Sequence, residues 1–335
     1  MDIMSDSANQ SATQHSATPG SHKFSSVPGF FEDFNEIAKS SPNGKLSTQP
    51  ALGLIKRDYD GPDTDLGPDR GAASQWERFV GYIIHLNYQH MNDGISYKLV
   101  YVIRHGRGVH NEKMDKLKLS EKAGQLEIAD GKPLNWNNHW SHKDGDGKVT
   151  WADAQLVETG IAQAQNLAKL WVDKDERDAP LVPWTLYTSP LARGLETTRL
   201  TYSPVMKKHG RPLRPIVVES LRERLTDHTC DRRSSRTWIE QNYPDYSIEE
   251  GFSELDASWD AGKSESPEQH IVRTQRMLDD IFENDASPVI SLTTHSFTIT
   301  TILAVLGYPK FLVNEGTLVP FLVKAERVTP KASPP

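Results

Sequence analysis

Apolar residues along this chain occur in short unbroken runs or at intervals of three and four residues, the patterns of buried strands and of helices packed on one face. The runs predict strands at Leu99–Ile103, Trp184–Thr188, Pro215–Glu219, Pro288–His295 and Thr317–Lys324. The other pattern predicts helices at 73–89 (capped by Ser74), 159–171, from Ser189-Pro190 onward, 236–242, 267–284 and 296–306. Strands that alternate with helices form a mostly parallel sheet between helical layers, so the predicted fold is a three-layer α/β/α sandwich.

The first predicted strand leads directly into a cation, an imidazole and a glycine. Leu99–Ile103 is apolar throughout, and Arg104, His105 and Gly106 follow it. Glycine lets the backbone turn tightly and approach a ligand, and the carboxyl ends of strands are where open α/β sheets bind ligands. On this segment alone, a histidine with purely structural hydrogen bonds in a turn explains the pattern equally well.

The predicted organisation is one domain with a polar segment at each end. Residues 1–27 are dominated by small and polar residues that cannot bury enough apolar surface to fold, so we expect a disordered tail. The domain is expected over 28–328, and a flexible Pro-rich tail over 329–335. Within the domain, 113–153 carries tryptophans among Asn, His, Gly and Asp, and we expect an irregular, cap-like insertion there.

Composition narrows the classes of partner. The net charge is −7 and the sequence pI is about 6.0, which argues against nucleic acid or an anionic membrane as the main partner. Cys230 is the one cysteine, so an intramolecular disulfide framework and a cysteine-based zinc cluster are excluded. The sequence has neither a run long enough to span a membrane nor a secretory signal pattern, and we therefore expect a cytoplasmic protein.

Chemically useful side chains follow four of the predicted strands. They are Arg104 and His105, then Arg193, then Glu223, then His295. Because parallel strands end at one edge of a sheet, these residues are expected to converge. Guanidinium groups match phosphate oxygens, an imidazole can attack phosphorus, and a carboxylic acid can protonate a departing alkoxide. The set predicts phosphoryl-transfer chemistry.

The order and spacing of these segments resemble the histidine phosphatase superfamily, whose fold is called phosphoglycerate mutase-like. The chain resembles most closely the fungal and plant mutase-like proteins of uncertain substrate. The matching segments span about 98–306 and are Ile103-Arg-His-Gly106 with Asn111, Leu156-Val-Glu-Thr-Gly-Ile-Ala-Gln163, Thr188-Ser-Pro-Leu-Ala-Arg193 with Glu196-Thr197, Leu221-Arg-Glu223 followed by His228-Thr-Cys-Asp-Arg-Arg233, and Thr293-Thr-His295-Ser296.

The resemblance implies a role for each matching residue. His105 is the expected nucleophile, which passes through a phosphohistidine, and Glu223 is the expected proton donor to the leaving group. Arg104, Arg193 and His295 are expected to hold the phosphoryl oxygens, and Asn111 to assist them. No metal and no cofactor are expected, because two arginines and a histidine can compensate the phosphoryl charge.

Some assignments have rivals or departures from the family pattern. Glu219 and Asp227 are alternative acids in the same charge-rich stretch, and only Glu223 matches the family position. Arg107 stands where the superfamily often has an acidic residue, so no substrate contact is inferred there. Arg232 and Arg233 are expected to reach an anionic substrate or to pair with neighbouring carboxylates.

Two other segments imitate known sites. Cys230 and Arg236 have the spacing of cysteine-dependent phosphatases, but no glycine lies between them and no strong apolar strand leads in. His142–Asp153 overlays a twelve-residue calcium loop, but its first and last ligands would be a histidine and an aspartate, which are poor choices for this hard cation. We interpret the second segment as a turn.

The leading functional hypothesis is a metal-independent phosphatase that acts on a small anionic phosphorylated metabolite. A phosphomutase that uses the same site is the alternative. A cysteine-dependent phosphatase and a non-catalytic protein that binds a phosphorylated ligand are further alternatives. Water or a substrate hydroxyl would take the phosphoryl group from His105, and the choice depends on closure of the pocket, which sequence does not show. Nor does the sequence indicate an oligomeric state.

Overall fold

The computed structural model describes residues 21–59, 73–175 and 179–328. The helices in this part of the chain are α1 Phe34–Ser40, α2 Gln75–Gln89, α3 Val109–Lys122, α4 Glu158–Val172, α5 Ala192–Lys208, α6 Arg236–Asn242, α7 Pro267–Asn284 and α8 Ser296–Val305. The strands are β1 His22–Ser26, β2 Lys45–Leu46, β3 Ile95–Arg104, β4 Ile128–Ala129, β5 Lys132–Pro133, β6 Thr185–Thr188, β7 Ile216–Val217, β8 Ser247–Ile248, β9 Val289–Thr294, β10 Leu312–Val313 and β11 Leu318–Arg327.

The main sheet has seven strands in the order β1-β11-β3-β9-β6-β7-β8. The five strands from β3 to β8 run parallel, and β11 and β1 are added antiparallel at one edge. The mostly parallel sheet expected from the alternation of strands and helices is therefore confirmed. β3 is an interior strand of this sheet, and it pairs with β11 on one side and with β9 on the other.

Helices cover both faces of this sheet because β3 is apolar on both of its faces. Val100 and Val102 pack into one core with side chains of α1, α7 and α8. Leu99, Tyr101 and Ile103 pack into the other core with side chains of α2, α4 and α5. A strand buried on both faces reads as a continuous apolar run, as this one does. The three-layer α/β/α sandwich is confirmed.

The predicted boundary of the amino-terminal tail at residue 27 is wrong. His22–Ser26 form β1, which pairs along its whole length with β11, while residues 1–20 lie outside the described ranges. Phe24 is buried against Phe282, and the His22 backbone N–H donates to Asp279 at 2.9 Å. Burial of one phenylalanine is worth about 1.5–3 kcal/mol, and ordering each residue costs about 1–2 kcal/mol. The hydrogen bonds to β11 and Asp279 are therefore needed as well, and composition cannot reveal them.

The start of the expected irregular insertion at 113–153 is also wrong, because α3 extends through its first ten residues, to Lys122. Charged residues outnumber apolar ones on this helix, so its sequence has little helical periodicity to recognise. The predicted tail at 329–335 lies outside the described ranges. In the described ranges, every helix is too short or too polar to cross a membrane.

The capping prediction for α2 is confirmed. The Ser74 hydroxyl accepts the backbone N–H of Glu77 at 3.1 Å, and the Glu77 carboxylate accepts the backbone N–H of Ser74 at 2.7 Å. This reciprocal pair satisfies two backbone donors that the first turn would otherwise leave free. The helix then leads through a short turn into β3, the strand that carries the candidate site.

Candidate active site

The carboxyl ends of β3, β6 and β9 meet at one edge of the sheet. Backbone hydrogen bonds continue past the strands, from His105 N to Thr294 O at 3.0 Å and from Ser189 N to Thr293 O at 2.9 Å. They hold the loops after these strands together above a cavity of about 360 Å³. The cavity is lined by Arg104, His105, His110, Asn111, Met114, Trp136, Asn137, Arg193, Glu223, Arg224, Thr226, His228, Cys230, Asp231, Ser296 and Phe297. Five of the six candidate site residues are in this lining.

His105 is held with one ring nitrogen available. It is 2% exposed, and its Nδ1 lies 2.7 Å from the Gly106 carbonyl, which can only accept, so Nδ1 carries the proton. The lone pair is then on Nε2, which lies 3.3 Å from Nε of Arg193. Burial lowers the pKa of His105 well below its ordinary value, and Arg193 and Arg104 add to the effect. The imidazole is therefore neutral and nucleophilic near neutral pH.

The loop that carries His105 contacts the first turn of α4 backbone to backbone. A Cβ added to Gly106 would lie 2.4 Å from the carbonyl oxygen of Gly160, and one added to Gly160 would lie 2.1 Å from that of Arg107. Real Cβ contacts are never this short, so only glycine fits at either position. The Gly106 N–H donates to Thr197 Oγ1 of α5 at 3.0 Å, so two helices fix the loop.

Arg193 is the most deeply buried cation of the site, at 1% exposure. Its Nη1 donates to the Cys230 carbonyl at 2.6 Å, and its Nη2 donates to Asp231 Oδ1 at 3.0 Å. Asp231 Oδ2 accepts from the Thr226 hydroxyl at 2.8 Å. Fixed on one edge, the guanidinium keeps Nε directed at His105. Asp231 was missed as a site residue, although its segment is among those that match the family.

Arg104 is held by residues from a later part of the chain. Its Nη1 donates to the Val313 carbonyl at 2.7 Å, and its Nη2 donates to Glu315 Oε1 at 3.0 Å. Both partners lie more than 200 residues away in sequence and reach Arg104 through the turn before β11. Two buried guanidinium groups thus share the cavity with His105, and the two cations can compensate the charge of a bound phosphoryl group.

Glu223, the expected proton donor, lines the cavity. It is half-buried, and its carboxyl group accepts the backbone N–H groups of Phe297 at 3.1 Å and Arg224 at 2.9 Å. Burial raises the pKa of Glu223, and the nearby charge of Asp231 raises it further. A raised pKa keeps the proton available for transfer at higher pH.

The rival acids are placed elsewhere. Glu219 is ion-paired with Arg222 and, at 2.8 Å, with Arg233. Asp227 lies beside His142, with 3.6 Å between Oδ2 and Nδ1. Neither carboxylate lines the cavity. The geometry therefore favours Glu223 over both, and Arg233 pairs with a carboxylate rather than facing the cavity.

His295 lies directly beside the nucleophile but is outside the cavity lining. Its ring centroid is 4.9 Å from that of His105, and its Nε2 hydrogen-bonds to Ser189 Oγ at 2.7 Å. Burial lowers the pKa of His295 well below its ordinary value, and Arg193 adds to this. Its Nδ1 is buried without a partner in the described part of the chain.

The predicted start of α5 at Ser189-Pro190 is wrong, because the helix begins at Ala192 and Leu191, not Ser189, is its cap residue. The Ser189 hydroxyl accepts the Leu191 N–H at 3.2 Å and bonds His295, so Ser189 belongs to the site. The sequence resembles a cap because serine before proline is common at helix starts. Only the fold brings His295 within reach of that hydroxyl.

Asn111 lines the cavity from the first turn of α3. Its Oδ1 accepts the Gly108 N–H at 3.0 Å, so it also holds the start of the helix. The residue before it, His110, lines the same cavity with its ring centroid 5.9 Å from that of His105. Sequence reasoning did not identify His110, because nothing in the pattern separates it from an ordinary helix residue.

The Cys230 alternative lacks the geometry that cysteine chemistry needs. The thiol is buried, and burial raises its pKa well above the ordinary value, with Asp231 adding to the effect. Arg236 turns away and pairs with Glu240 at 2.8 Å. A cysteine nucleophile needs a lowered pKa and a cation aimed at the same anion. The structure therefore does not support Cys230 as the nucleophile.

The carboxylates of the calcium-like loop have other partners. Asp146 pairs with Lys113 at 2.9 Å, and Asp144 pairs with Arg232 at 2.8 Å. Asp153 accepts the Ala192 N–H at 2.8 Å and thereby helps to position the start of α5. Two of the three therefore balance cations, and the third supports the helix that carries Arg193.

One group in the described ranges has metal-ligand geometry. Potential ligand atoms of His228, Cys230 and Asp231 lie within 4.8 Å of one another at the cavity wall. Both oxygens of Asp231 already accept hydrogen bonds, one of them from Arg193. A cation there would compete with the guanidinium, so this group adds no metal chemistry to the arrangement around His105.

Comparison with known proteins identifies the family. The family model "Histidine phosphatase superfamily (branch 1)" matches residues 138–312, a range that holds Arg193, Glu223 and His295. A protein of Arthroderma benhamiae named probable phosphoglycerate mutase is 37% identical over 307 residues, which cover 91% of this chain and 85% of that protein. Phosphomutase-like protein 3 of Candida albicans is 31% identical over 230 residues, which cover 68% of this chain and 66% of that protein.

Among solved structures, phosphoglycerate mutase from Bacillus anthracis is similar with 20% sequence identity and a TM-score of 0.42, covering 71% of this chain and 95% of that chain. The expectation of a phosphoglycerate mutase-like fold, made from the strand-end motifs, is confirmed by the family match and the sheet topology. The chain belongs to branch 1 of the histidine phosphatase superfamily.

Proposed function

We propose that this protein is a metal-independent phosphatase that hydrolyses a small anionic phosphorylated metabolite through a phosphohistidine at His105. The observation that carries the proposal is the state of His105: its protonated Nδ1 donates to the Gly106 carbonyl, and its unprotonated Nε2 accepts a hydrogen bond from Nε of the buried Arg193 at 3.3 Å. A neutral imidazole whose lone pair lies beside a fixed cation, in a cavity that holds a second one, is suited to attack a phosphoryl group.

In the first step, Nε2 of His105 attacks phosphorus, the new N–P bond forms, and the bond from phosphorus to the leaving oxygen breaks. Glu223 gives its proton to that oxygen, so the alcohol leaves uncharged. Arg104 and Arg193 stabilise the charge on the transferred group, which is the main requirement of phosphoryl transfer. Nδ1 keeps its proton and its bond to Gly106 throughout.

In the second step, water attacks the phosphohistidine. Glu223, now a carboxylate, takes a proton from that water, the N–P bond breaks, and inorganic phosphate forms. His105 regains its free Nε2 and Glu223 regains its proton, so the cycle is closed. One carboxyl group thus acts as acid and then as base.

The test is phosphate release from a panel of phosphomonoesters by the wild type, by H105A and by H90A as a matched control on the surface. H105A is expected to lower kcat/KM by at least about 10³-fold, H90A to leave it unchanged, and EDTA to have no effect. Radiolabelled substrate should leave an acid-labile, base-stable label on the wild type only. Full activity in H105A would overturn the proposal, and loss of activity in EDTA would overturn its metal-independent part.

A phosphomutase is the second candidate, because the two fungal relatives carry mutase names. It differs only in the acceptor, since a hydroxyl of a second substrate molecule or of the same one takes the phosphoryl group instead of water. Incubation with phosphoglycerate labelled in one position separates the two candidates. Positional transfer without released phosphate supports the mutase, whereas released phosphate supports the phosphatase.

A further inference from the structure

His110 is a buried polar side chain whose bonding is incomplete. It is 7% exposed, and its Nδ1 is buried without a hydrogen-bond partner in the described part of the chain. Leaving such a group unsatisfied costs about 1–3 kcal/mol, and a polar group of this kind in a native protein needs an explanation. If position 110 served packing alone, an apolar side chain would fill it without the cost of burying an unsatisfied nitrogen.

The backbone makes room for this imidazole. A Cβ at Gly108 would lie 2.8 Å from Nδ1 of His110 and 2.9 Å from its Cε1. Gly108 has φ −99° and ψ 165°, a conformation open to any residue, so the backbone angles do not require glycine there. A methyl group at this position would instead clash with the His110 ring, so glycine at 108 leaves the space that the imidazole occupies.

The His110 ring lies beside the ring of His105. Its centroid is 5.9 Å from that of His105, and it lines the cavity with Arg104, Arg193 and Glu223. A tetrahedral phosphoryl group bound to Nε2 of His105 would project its oxygens into the space between these side chains. Burial lowers the pKa of His110 well below its ordinary value, and the charge of Arg193 adds to this, so the ring is uncharged before an anion arrives.

We propose that His110 is a further phosphoryl-binding residue, whose ring N–H donates a hydrogen bond to an oxygen of the phosphoryl group held at His105. This rests on the proposed function only in assuming that His105 receives the phosphoryl group. The unsatisfied imidazole obtains its partner when the anion binds, so the cost of its burial in the free protein is recovered in the complex. Preorganised donors of this kind need no rearrangement during transfer.

The test compares H110F, which keeps a buried ring without a donor, with H110Q, which keeps a donor of similar reach. Affinity for inorganic phosphate and for vanadate is measured by calorimetry on the full chain, and kcat/KM on a phosphomonoester. H110F is expected to weaken both affinities by about tenfold, as for one lost hydrogen bond to a charged group, and to lower kcat/KM by 10- to 100-fold. H110Q is expected to recover most of both losses.

A merely structural His110 gives a different result. The free energy of unfolding would then change in H110F, while phosphate and vanadate affinities would stay within twofold of the wild type, and this outcome overturns the inference. It is also overturned if H110Q is no better than H110F in either affinity.

Gly108 provides an independent variant. G108A is expected to displace the ring and to weaken vanadate binding about as much as H110F does. In an H110A background, where the ring is absent, G108A is expected to cause no further loss. Additive losses in the double variant would contradict the inference, because the glycine would then act independently of His110.

The two proposals fail separately. Vanadate binding that depends on His110, together with no turnover of any phosphomonoester, leaves this inference standing and removes the phosphatase. Turnover that depends on His105 but not on His110 supports the phosphatase and removes this inference. If the wild type binds neither phosphate nor vanadate, both are wrong.

Discussion

Asp231 connects two parts of the chemistry at the scale of single residues. Its carboxylate fixes the guanidinium of Arg193, and its charge helps to raise the pKa of Glu223. The same group therefore positions a buried cation of the cavity and favours the protonated form of Glu223. The family motifs suggest roles for Arg193 and Glu223 but none for Asp231. Asp231 acts by a hydrogen bond to Arg193 and by its charge near Glu223, and both effects depend on distances in the folded chain.

We predict that D231N moves the alkaline limb of the pH profile of kcat/KM to lower pH. Removing the negative charge lowers the pKa of Glu223 towards its ordinary value, so the acid loses its proton at lower pH. The asparagine side-chain oxygen can still accept a hydrogen bond from Arg193, so the guanidinium keeps its position. The profile is measured with a substrate that has a poor leaving group, so that protonation by Glu223 limits the rate.

D227N is the matched control for this prediction, because it neutralises a carboxylate of the same loop that pairs with His142. Its alkaline limb is expected to coincide with that of the wild type. An unchanged limb in D231N, or an equal shift in D227N, would show that Asp231 does not set the state of Glu223.

At the scale of elements, the site depends on how closely α4 approaches the loop after β3. Gly106 and Gly160 allow the two backbones to touch, and Gln163 of α4 accepts the Arg107 N–H at 2.8 Å. The sequence predicts both elements, and α4 begins and ends within one residue of the predicted 159–171. The sequence does not predict the contact between α4 and this loop, because a glycine within a helix gives no indication of which segment packs against it.

We predict that G160A destabilises the fold by about 1–3 kcal/mol, the usual cost of forcing an extra methyl group into a packed contact. It should also lower kcat/KM by about 10²-fold, because a displacement of about 1 Å at His105 is enough for that loss. The free energy of unfolding is measured in urea and the activity on a phosphomonoester.

G81A in α2 is the control, since a Cβ at Gly81 meets nothing within 4 Å. It is expected to be neutral or to stabilise by up to about 1 kcal/mol, as alanine does in a helix. Equal unfolding free energies for G160A and the wild type would mean that the loop yields to α4 and that the close contact is not essential.

At the scale of the whole molecule, burial holds several histidines in the neutral form. His105, His110 and His295 are held in this way at the site, and His270 is held away from it, between α7 and α8. Burial lowers the pKa of His270 to about 3, with Arg273 adding to the effect. Its Nε2 hydrogen-bonds to Thr298 at 3.2 Å, which suits the uncharged ring. Acidification is therefore expected to lower the free energy of unfolding, because the unfolded chain binds protons that these buried rings do not.

We predict that His270 costs the protein about 2 kcal/mol of stability between pH 7 and pH 5. The unfolded histidine takes up a proton below its ordinary pKa of 6.5, while the folded one does not until about pH 3. Proton uptake therefore favours the unfolded chain, and stability falls as pH drops through this window. Urea unfolding at both pH values should show a smaller loss for H270Q than for the wild type, by about this amount.

H209Q is the control for this prediction, because His209 is exposed at the end of α5. Its loss of stability between the two pH values should equal that of the wild type. If H270Q loses as much stability as the wild type, the buried ring is protonated in the folded state and the prediction is wrong.

The sequence by itself determined the class of fold and named candidate site residues that the fold brings together. Apolar runs separated by helical patterns require a sheet covered on both faces, whatever the details of packing. The ends of those runs carried Arg104, His105, Arg193, Glu223 and His295, and the strand order brings them to one edge. The local pattern is sufficient to predict the strands and helices because each must bury its apolar face, and the positions of the polar residues at the strand ends follow from that.

Only the tertiary structure decided which side chains act on those residues. Three neighbour relations show this: Asp231 bonds Arg193, Ser189 bonds His295, and the His110 ring lies beside that of His105. The first two join residues far apart in sequence, and the third depends on where a side chain points, which a linear pattern does not encode. The strand β1 belongs to the same category, since its composition is that of a polar tail and its stability comes from β11 and Asp279. Hydrogen-bond partners and close backbone contacts depend on distances in space, and these exist only once the chain has folded.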